Sequence, residues 1–258
     1  MNNILLNKFN KGEKSMGTFS HLLSSVAVEC LGCAGLDYVV LDLEHSPLTP
    51  EGANLLITAA RSAGLAPIVR VDEISRSPIL KMLDSGAQAV IVPRVETMRE
   101  VEDLVSYAKF APLGSRGFCP SRDDGWGLAE HAQRGLEEYM QTSNREAMLI
   151  IQCETLGCME NIEKVAATEG VDGILIGPFD LSIAMGKPAQ FDDCEVKAAF
   201  TRILRACQEA GKLAMIFASN AREAGDYLHQ GFDSIAVGLD TVVYINAYRE
   251  IVKGSGIR

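Results

Sequence analysis

A chain of 258 residues, 47% hydrophobic and 22% charged, is long enough to build a full core and is neither disordered nor of low complexity. Its formal net charge of −10 counts against a nucleic-acid partner, which needs a basic face. No stretch approaches the roughly 18 apolar residues of a membrane span, so no membrane partner is expected.

In chain order, "MNNILLNKFNKGEK" has too short an apolar run for a signal peptide, and a cytoplasmic protein is expected. The first strand is "MGTFS", Met16 to Ser20. Cys30 and Cys33 follow as C-x-x-C, but no second ligand pair accompanies them. They are expected as buried, reduced thiols on a helix. "DYVVLDLE" (Asp37 to Glu44), "APIVRV" (Ala66 to Val71) and "AQAVIVP" (Ala87 to Pro93) are the next strands. "TMREVEDLVSYAKFA" carries Met98, Val101, Val105 and Ala108 at helical spacing. A long connection from Phe110 to Ala147, rich at first in Gly, Pro and Asp and holding Trp126, is expected to serve the active face. "AMLIIQCE" (Ala147 to Glu154) and "VDGILIG" (Val171 to Gly177) are strands, the first with Cys153 as core packing, and "DLSIAMG" begins a short helix. "DCEVKAAFTRILRACQEAG" is a helix closed by Gly211, and "LAMIFA" (Leu213 to Ala218) and "FDSIAVG" (Phe232 to Gly238) complete the strands. "TVVYINAYREIVKGSGIR" reads as a last helix with a loose tail.

Continuous apolar runs of this kind suit parallel strands covered on both faces. Eight of them separated by helices match the count of a closed (β/α)8 TIM barrel. With no sharp break in composition, residues 1–258 are expected to form one domain.

Active sites of such barrels lie at the C-terminal ends of the strands. There this sequence places Asp42, Glu44 and His45, then Arg70, Arg94 with Glu96, Glu154, and Asp180. Clustered acids are unfavourable unless a cation neutralises them. Oxygen donors point to Mg²⁺ or Mn²⁺, and Glu154 and Asp180 come from neighbouring strands. Each acid could instead cap a helix or pair with an arginine. Arg70 offers a fixed positive charge for an oxygen that becomes anionic, or else a structural salt bridge. His45, read as the only one of the four histidines near a strand end, could serve as a base. Arg116 in "GSRGF" could close the site from the long connection. No lysine ends a strand, which leaves a Schiff-base mechanism without an amine. No Gly-x-Gly-x-x-Gly or Walker loop is present, against a nucleotide cofactor.

The ordered segments "VLDLEHSP", "PIVRV", "LDSGAQAVIVPRVET", "GSRGF", "IIQCETLGCMENIEKVAATEGVDGILIGPFDLSIAMG" and "MIFASN" span nearly the whole chain. Together they resemble the HpcH/HpaI aldolase or citrate-lyase-like family of metal-dependent (class II) pyruvate aldolases. The resemblance implies a (β/α)8 barrel assembled as a homo-oligomer, a trimer of dimers with swapped C-terminal helices. It implies that Glu154 and Asp180 ligate Mg²⁺, Mn²⁺ or Co²⁺. His45 paired with Asp84 would transfer protons, and Arg70 would hold the keto or enolate oxygen. Backbone N–H groups around Gly177, Phe179 and Asp180 would receive the pyruvate carboxylate. The implied reaction cleaves a 4-hydroxy-2-oxo acid, of 2-keto-3-deoxy sugar acid or 4-hydroxy-2-oxoheptanedioate type, to pyruvate and an aldehyde. Cleavage of an acyl-CoA thioester and a non-catalytic metabolite-binding barrel are the alternatives. Phe19, where many relatives place Trp, and Phe179, where relatives often carry a small residue, depart from the family pattern on the aldehyde side.

Overall fold

A computed structural model describes residues 3–256. Among the described residues the order is α1 (Ile4–Asn10), β1 (Ser15–Ser20), α2 (Ser25–Cys33), β2 (Tyr38–Asp42), α3 (Pro50–Ser62), β3 (Ala66–Arg70), α4 (Arg76–Asp84), β4 (Ala89–Val92) and α5 (Met98–Ala108). It continues with α6 (Glu130–Gln133), α7 (Leu136–Glu146), β5 (Met148–Cys153), α8 (Leu156–Glu160), α9 (Ile162–Ala167), β6 (Gly173–Ile176) and α10 (Pro178–Ala184). Last come α11 (Cys194–Ala210), β7 (Leu213–Ala218), α12 (Ala221–Gln230), β8 (Ser234–Leu239) and α13 (Asp240–Gly254). The strands close in sequence order into one parallel barrel, as the eight apolar runs require. The tail expected after α13 ends at residues 257–258, outside the described residues.

The strands are buried on both faces, and each face has its own role. Residues such as Val39, Leu41, Val69, Ile151, Ile174 and Ile216 face the helix layer. The alternate residues Val40, Ile68, Ile150, Leu175 and Met215 fill the barrel interior. Period-two alternation therefore carries inward-facing polar residues to the catalytic end. Val40 leads to Asp42, Ile68 to Arg70, and Ile150 to Gln152 and Glu154. The opposite end is closed by α1, whose Leu5, 1% exposed, joins the interior cluster. The sequence reading treated that segment only as too short for a signal.

Five strands are entered through a Gly–apolar pair, for a reason that lies in the backbone. Gly35, Gly64, Gly86, Gly170 and Gly231, each just before a strand, all have positive φ, where a side chain would be strained. Asp37, Asp172 and Asp233 follow three of these turns and accept the N–H groups of Met16, Leu149 and Ala214 on the preceding strands. Helix α5 starts with a Thr97–Glu100 capping box and buries Val101, Leu104, Val105 and Ala108, a face of amphipathic spacing.

Two expectations are corrected. Cys30 and Cys33 lie on α2 but are exposed, whereas Cys153 is buried. The long connection does not serve the catalytic face of its own barrel. It follows a helix, not a strand, so it leaves from the N-terminal end of the barrel and packs there. Among the described residues, no helix is long and apolar enough to cross a membrane.

Candidate active site

A cavity of about 250 Å³ opens at the C-terminal ends of the strands, lined on its polar side by His21, His45, Arg70, Gln152 and Asp180. Its floor is set by strand register. Asp42 and Arg70 are direct partners across β2 and β3 and form a bidentate pair, Nε to Oδ1 at 2.8 Å and Nη2 to Oδ2 at 2.6 Å. Asp42 is fully buried. Burial pushes its carboxyl up, but the hydrogen bonds and charge of Arg70, joined by His21, outweigh that and hold it below the usual carboxylate range. Burial alone would lower the guanidinium of Arg70, yet Asp42 and Glu44 raise it, so it stays charged. Glu44 reaches Arg70 Nη1 at 3.2 Å.

Glu154 follows β5 and is 5% exposed. It accepts from the backbone N–H of Arg94 at 2.8 Å and from the Gln152 amide. Arg94 reaches this position with φ 59°, and its own side chain is exposed. Burial, and after it the negative charges of Glu44 and Asp180, push the Glu154 carboxyl above its ordinary range. Gly177 is where β6 hands over to α10, and a Cβ there would sit 2.9 Å from Glu154 Oε2 and 3.2 Å from Gln152 Nε2. Only glycine lets the carboxylate lie against the backbone three residues before Asp180. Asp180 itself is exposed, in the first turn of α10.

Gln152 Oε1 is buried without a hydrogen-bond partner among the described residues. Among these residues no set of three His, Cys, Asp or Glu side chains converges on one point. A paired site of Glu154 and Asp180 would leave further positions for water or substrate oxygens. Two neighbouring acids whose charges oppose each other, beside an unmatched amide oxygen, suit an oxygen-loving cation.

The other expected residues fall elsewhere. His45 lines the cavity, with a side chain 62% exposed and Nε2 3.7 Å from Glu44. Asp84 is not its partner within the chain. It is the last residue of α4, which runs back to the opposite end of the barrel, and there it accepts from Arg116 Nη2 at 2.8 Å. Arg116 is likewise buried away from the mouth, against Asp84, Asp123 and the Phe110 ring. The N–H of Gly177 is already given to Cys153 O at 3.3 Å. Phe179 and Asp180, in the first turn of α10, keep N–H groups without intrahelical acceptors.

His21, missed in the sequence, directly follows β1 and places Nε2 2.7 Å from Asp42 Oδ2, so His45 is not alone at a strand end. Asp240, at the start of α13, holds that turn through Ser20 Oγ (2.7 Å) and His21 N (2.8 Å). The signal was available: His21 immediately follows the "MGTFS" run.

A sequence profile of the HpcH/HpaI aldolase/citrate lyase family matches residues 15–247. The 2-keto-3-deoxy-L-rhamnonate aldolase of Klebsiella pneumoniae is 33% identical over 252 residues, 96% of this chain and 92% of that protein. The HpcH/HpaI aldolase of Desulfitobacterium hafniense superposes with a TM-score of 0.92 at 27% identity, covering 100% of this chain and 98% of that one. An HpcH/HpaI aldolase/citrate lyase family protein of Burkholderia cenocepacia gives a TM-score of 0.89 at 29% identity, with 98% and 99% covered. The chain belongs to the HpcH/HpaI aldolase/citrate lyase family and is an aldolase-class lyase built on a (β/α)8 barrel.

Proposed function

We propose that the chain reversibly cleaves a 4-hydroxy-2-oxo acid into pyruvate and an aldehyde, with Glu154 and Asp180 as ligands of a divalent cation, Mg²⁺, Mn²⁺ or Co²⁺. The observation that carries this is the contact of buried Glu154 with Gly177, at the start of the helix bearing Asp180 and facing the same cavity as Arg70. When bound, the cation supplies Lewis-acid polarisation of the 2-keto oxygen. Arg70, its fork fixed by Asp42, stabilises the negative charge that develops on that oxygen as C3–C4 breaks. The first-turn N–H groups of Phe179 and Asp180 receive the substrate carboxylate. His45 takes the proton from the 4-hydroxyl, and protonation of the enolate carbon completes pyruvate.

The His21–Asp42 hydrogen bond favours a second assignment of the proton transfer. A carboxylate on Nε2 leaves Nδ1 of a neutral imidazole as the acceptor.

The 2-keto-3-deoxy sugar acids and 4-hydroxy-2-oxoheptanedioate define the substrate class. A homo-oligomer exchanging α13 is part of the same proposal, supported by the exposure of Val243 (58%), Tyr244 (55%) and Ile251 (63%) on that helix. The test is pyruvate release from 4-hydroxy-2-oxo acids by chelator-treated protein before and after Mg²⁺ or Mn²⁺ is restored. Metal-dependent release is expected. Turnover of a malyl-type thioester instead would select the acyl-CoA reaction, and tight oxalate binding without turnover would select a binding barrel.

A further inference from the structure

We propose that Asp240 is a positioning residue which, through the His21 turn, ties the seating of α13 on a second copy of the chain to the shape of the catalytic cavity. This rests on the aldolase reading and on the exchanged helix, and extends both.

The end of β8 is built to aim this residue. Against β1, Gly17 pairs with Ala236 but Phe19 pairs with Leu239, so β8 carries one extra residue. Gly238 lies in that bulge with φ 66°, and Thr18 Oγ1 donates to its carbonyl at 3.1 Å. Ala236 faces the barrel interior. Strict alternation would turn Leu239 toward the helix layer. The bulge reverses the faces beyond it, and Leu239 lines the catalytic cavity. Asp240 is the next residue.

Asp240 is 7% exposed and accepts four hydrogen bonds. Its Oδ2 receives Ser20 Oγ at 2.7 Å and the Leu22 N–H at 3.2 Å. Its Oδ1 receives the His21 N–H at 2.8 Å and the Thr241 N–H at 2.7 Å. Three of these donors are consecutive residues of the turn after β1, and the fourth is in the first turn of α13. One carboxylate therefore clamps the turn to the root of the helix. His21 is the middle residue of that turn. Its imidazole reaches Asp42 Oδ2, the oxygen that also receives Arg70 Nη2. A shift of Asp240 is thus passed to the charged floor of the cavity by way of one side chain.

The rest of α13 has no comparable hold on its own barrel. Asp240 is the only buried residue of this helix among the described residues. Val243, Tyr248 and Ile251 are 58%, 54% and 63% exposed. An apolar face of this kind needs a cover, which the exchange with a second copy supplies. Docking then fixes the direction of α13, and with it Asp240 and the turn at residues 20–22. An undocked helix lets Asp240 swing and releases His21 from Asp42.

The test compares the full, Mn²⁺-loaded parent with three proteins. Asp240→Asn keeps the shape and loses one accepting oxygen. His21→Ala removes the imidazole. Tyr248→Glu combined with Ile251→Glu charges the exposed face of α13. Carbethoxylation of His21 by diethyl pyrocarbonate, followed by peptide mass spectrometry, reports the turn without turnover. In the parent it should be slow, since that side chain is 19% exposed and held by Asp42. The parent should be an oligomer in light scattering, and the charged-face variant a single chain. In that variant and in Asp240→Asn, His21 should react roughly tenfold faster, the equivalent of one charge-assisted hydrogen bond, with circular dichroism unchanged. In pyruvate release, Asp240→Asn should move kcat and KM in the same sense as His21→Ala. The two combined should lose no more than His21→Ala alone, whereas a merely structural carboxylate would add its loss in both backgrounds. Should Asp240→Asn fail to fold, Ser20→Ala removes one donor of the clamp and should give the same pattern at smaller amplitude. Parental His21 reactivity in the clamp variant, or additive losses, overturns the positioning role. Parental reactivity in the single-chain variant, a parent of single-chain mass, or a charged-face variant that stays assembled overturns the link to assembly. Faster His21 modification with no turnover even in the parent overturns the aldolase reading and leaves the clamp standing.

Discussion

Asp42 joins the groups that set the charge of the site. Its two oxygens receive Arg70, His21 and the backbone N–H of Glu44. A buried pair is weak evidence for stability, but removing one partner strands the other, at a cost of about 3–5 kcal/mol. Asp42→Ala should therefore lower the urea midpoint as well as kcat. Arg70→Lys keeps the charge and loses the fork. It should reduce kcat by roughly 10²-fold or more with the fold retained, as measured by pyruvate release and circular dichroism. The two histidines are separable at the same scale. If His45 moves the proton, His45→Ala should lower kcat by roughly 10²-fold or more, while His21→Ala changes kcat less than KM. The reverse pattern would assign the step to the His21–Asp42 pair.

At the scale of elements, the strands and their ends were legible because a parallel strand buried on both faces is a continuous apolar run. The alternation behind Asp42, Arg70 and Glu154 is the same signal read two residues at a time. Less legible was where the connections lie. Arg116 and Asp84 sit in recognisable segments, yet both lie at the end of the barrel away from the mouth, since a segment after a helix returns to the strands' N-terminal side. His21 was passed over because it lies one residue beyond the end of its strand and its partner Asp42 lies 21 residues on. The Gly177 junction belongs here too, because it depends on two strands and a helix meeting. Gly177→Ala would push a methyl into Glu154 and Gln152. Cation affinity should fall at least about tenfold with little change in melting temperature, checked by calorimetric titration and a thermal melt.

For the whole molecule, a net charge of −10 is compatible with anionic substrates only where positive charge is local, at Arg70 and the proposed cation. At the other end, burial raises the Asp123 carboxyl to about 6, from an ordinary 3.8. Between those values the folded chain binds the extra proton, so stability falls as pH rises through this window. Asp123→Asn should flatten that slope relative to the parent, read as urea midpoints from pH 4 to 6.5. The apolar face of α13 should give a multiple of the chain mass in light scattering, and a single-chain mass would contradict the exchanged helix.

The most direct measurement is calorimetric titration of Mn²⁺ into chelator-treated protein at neutral pH, repeated with Glu154→Gln and Asp180→Asn. One saturable site per chain is predicted, weakened at least about tenfold by either substitution and lost when both are combined. Unchanged binding in both single variants and the double variant would contradict a cation shared by Glu154 and Asp180.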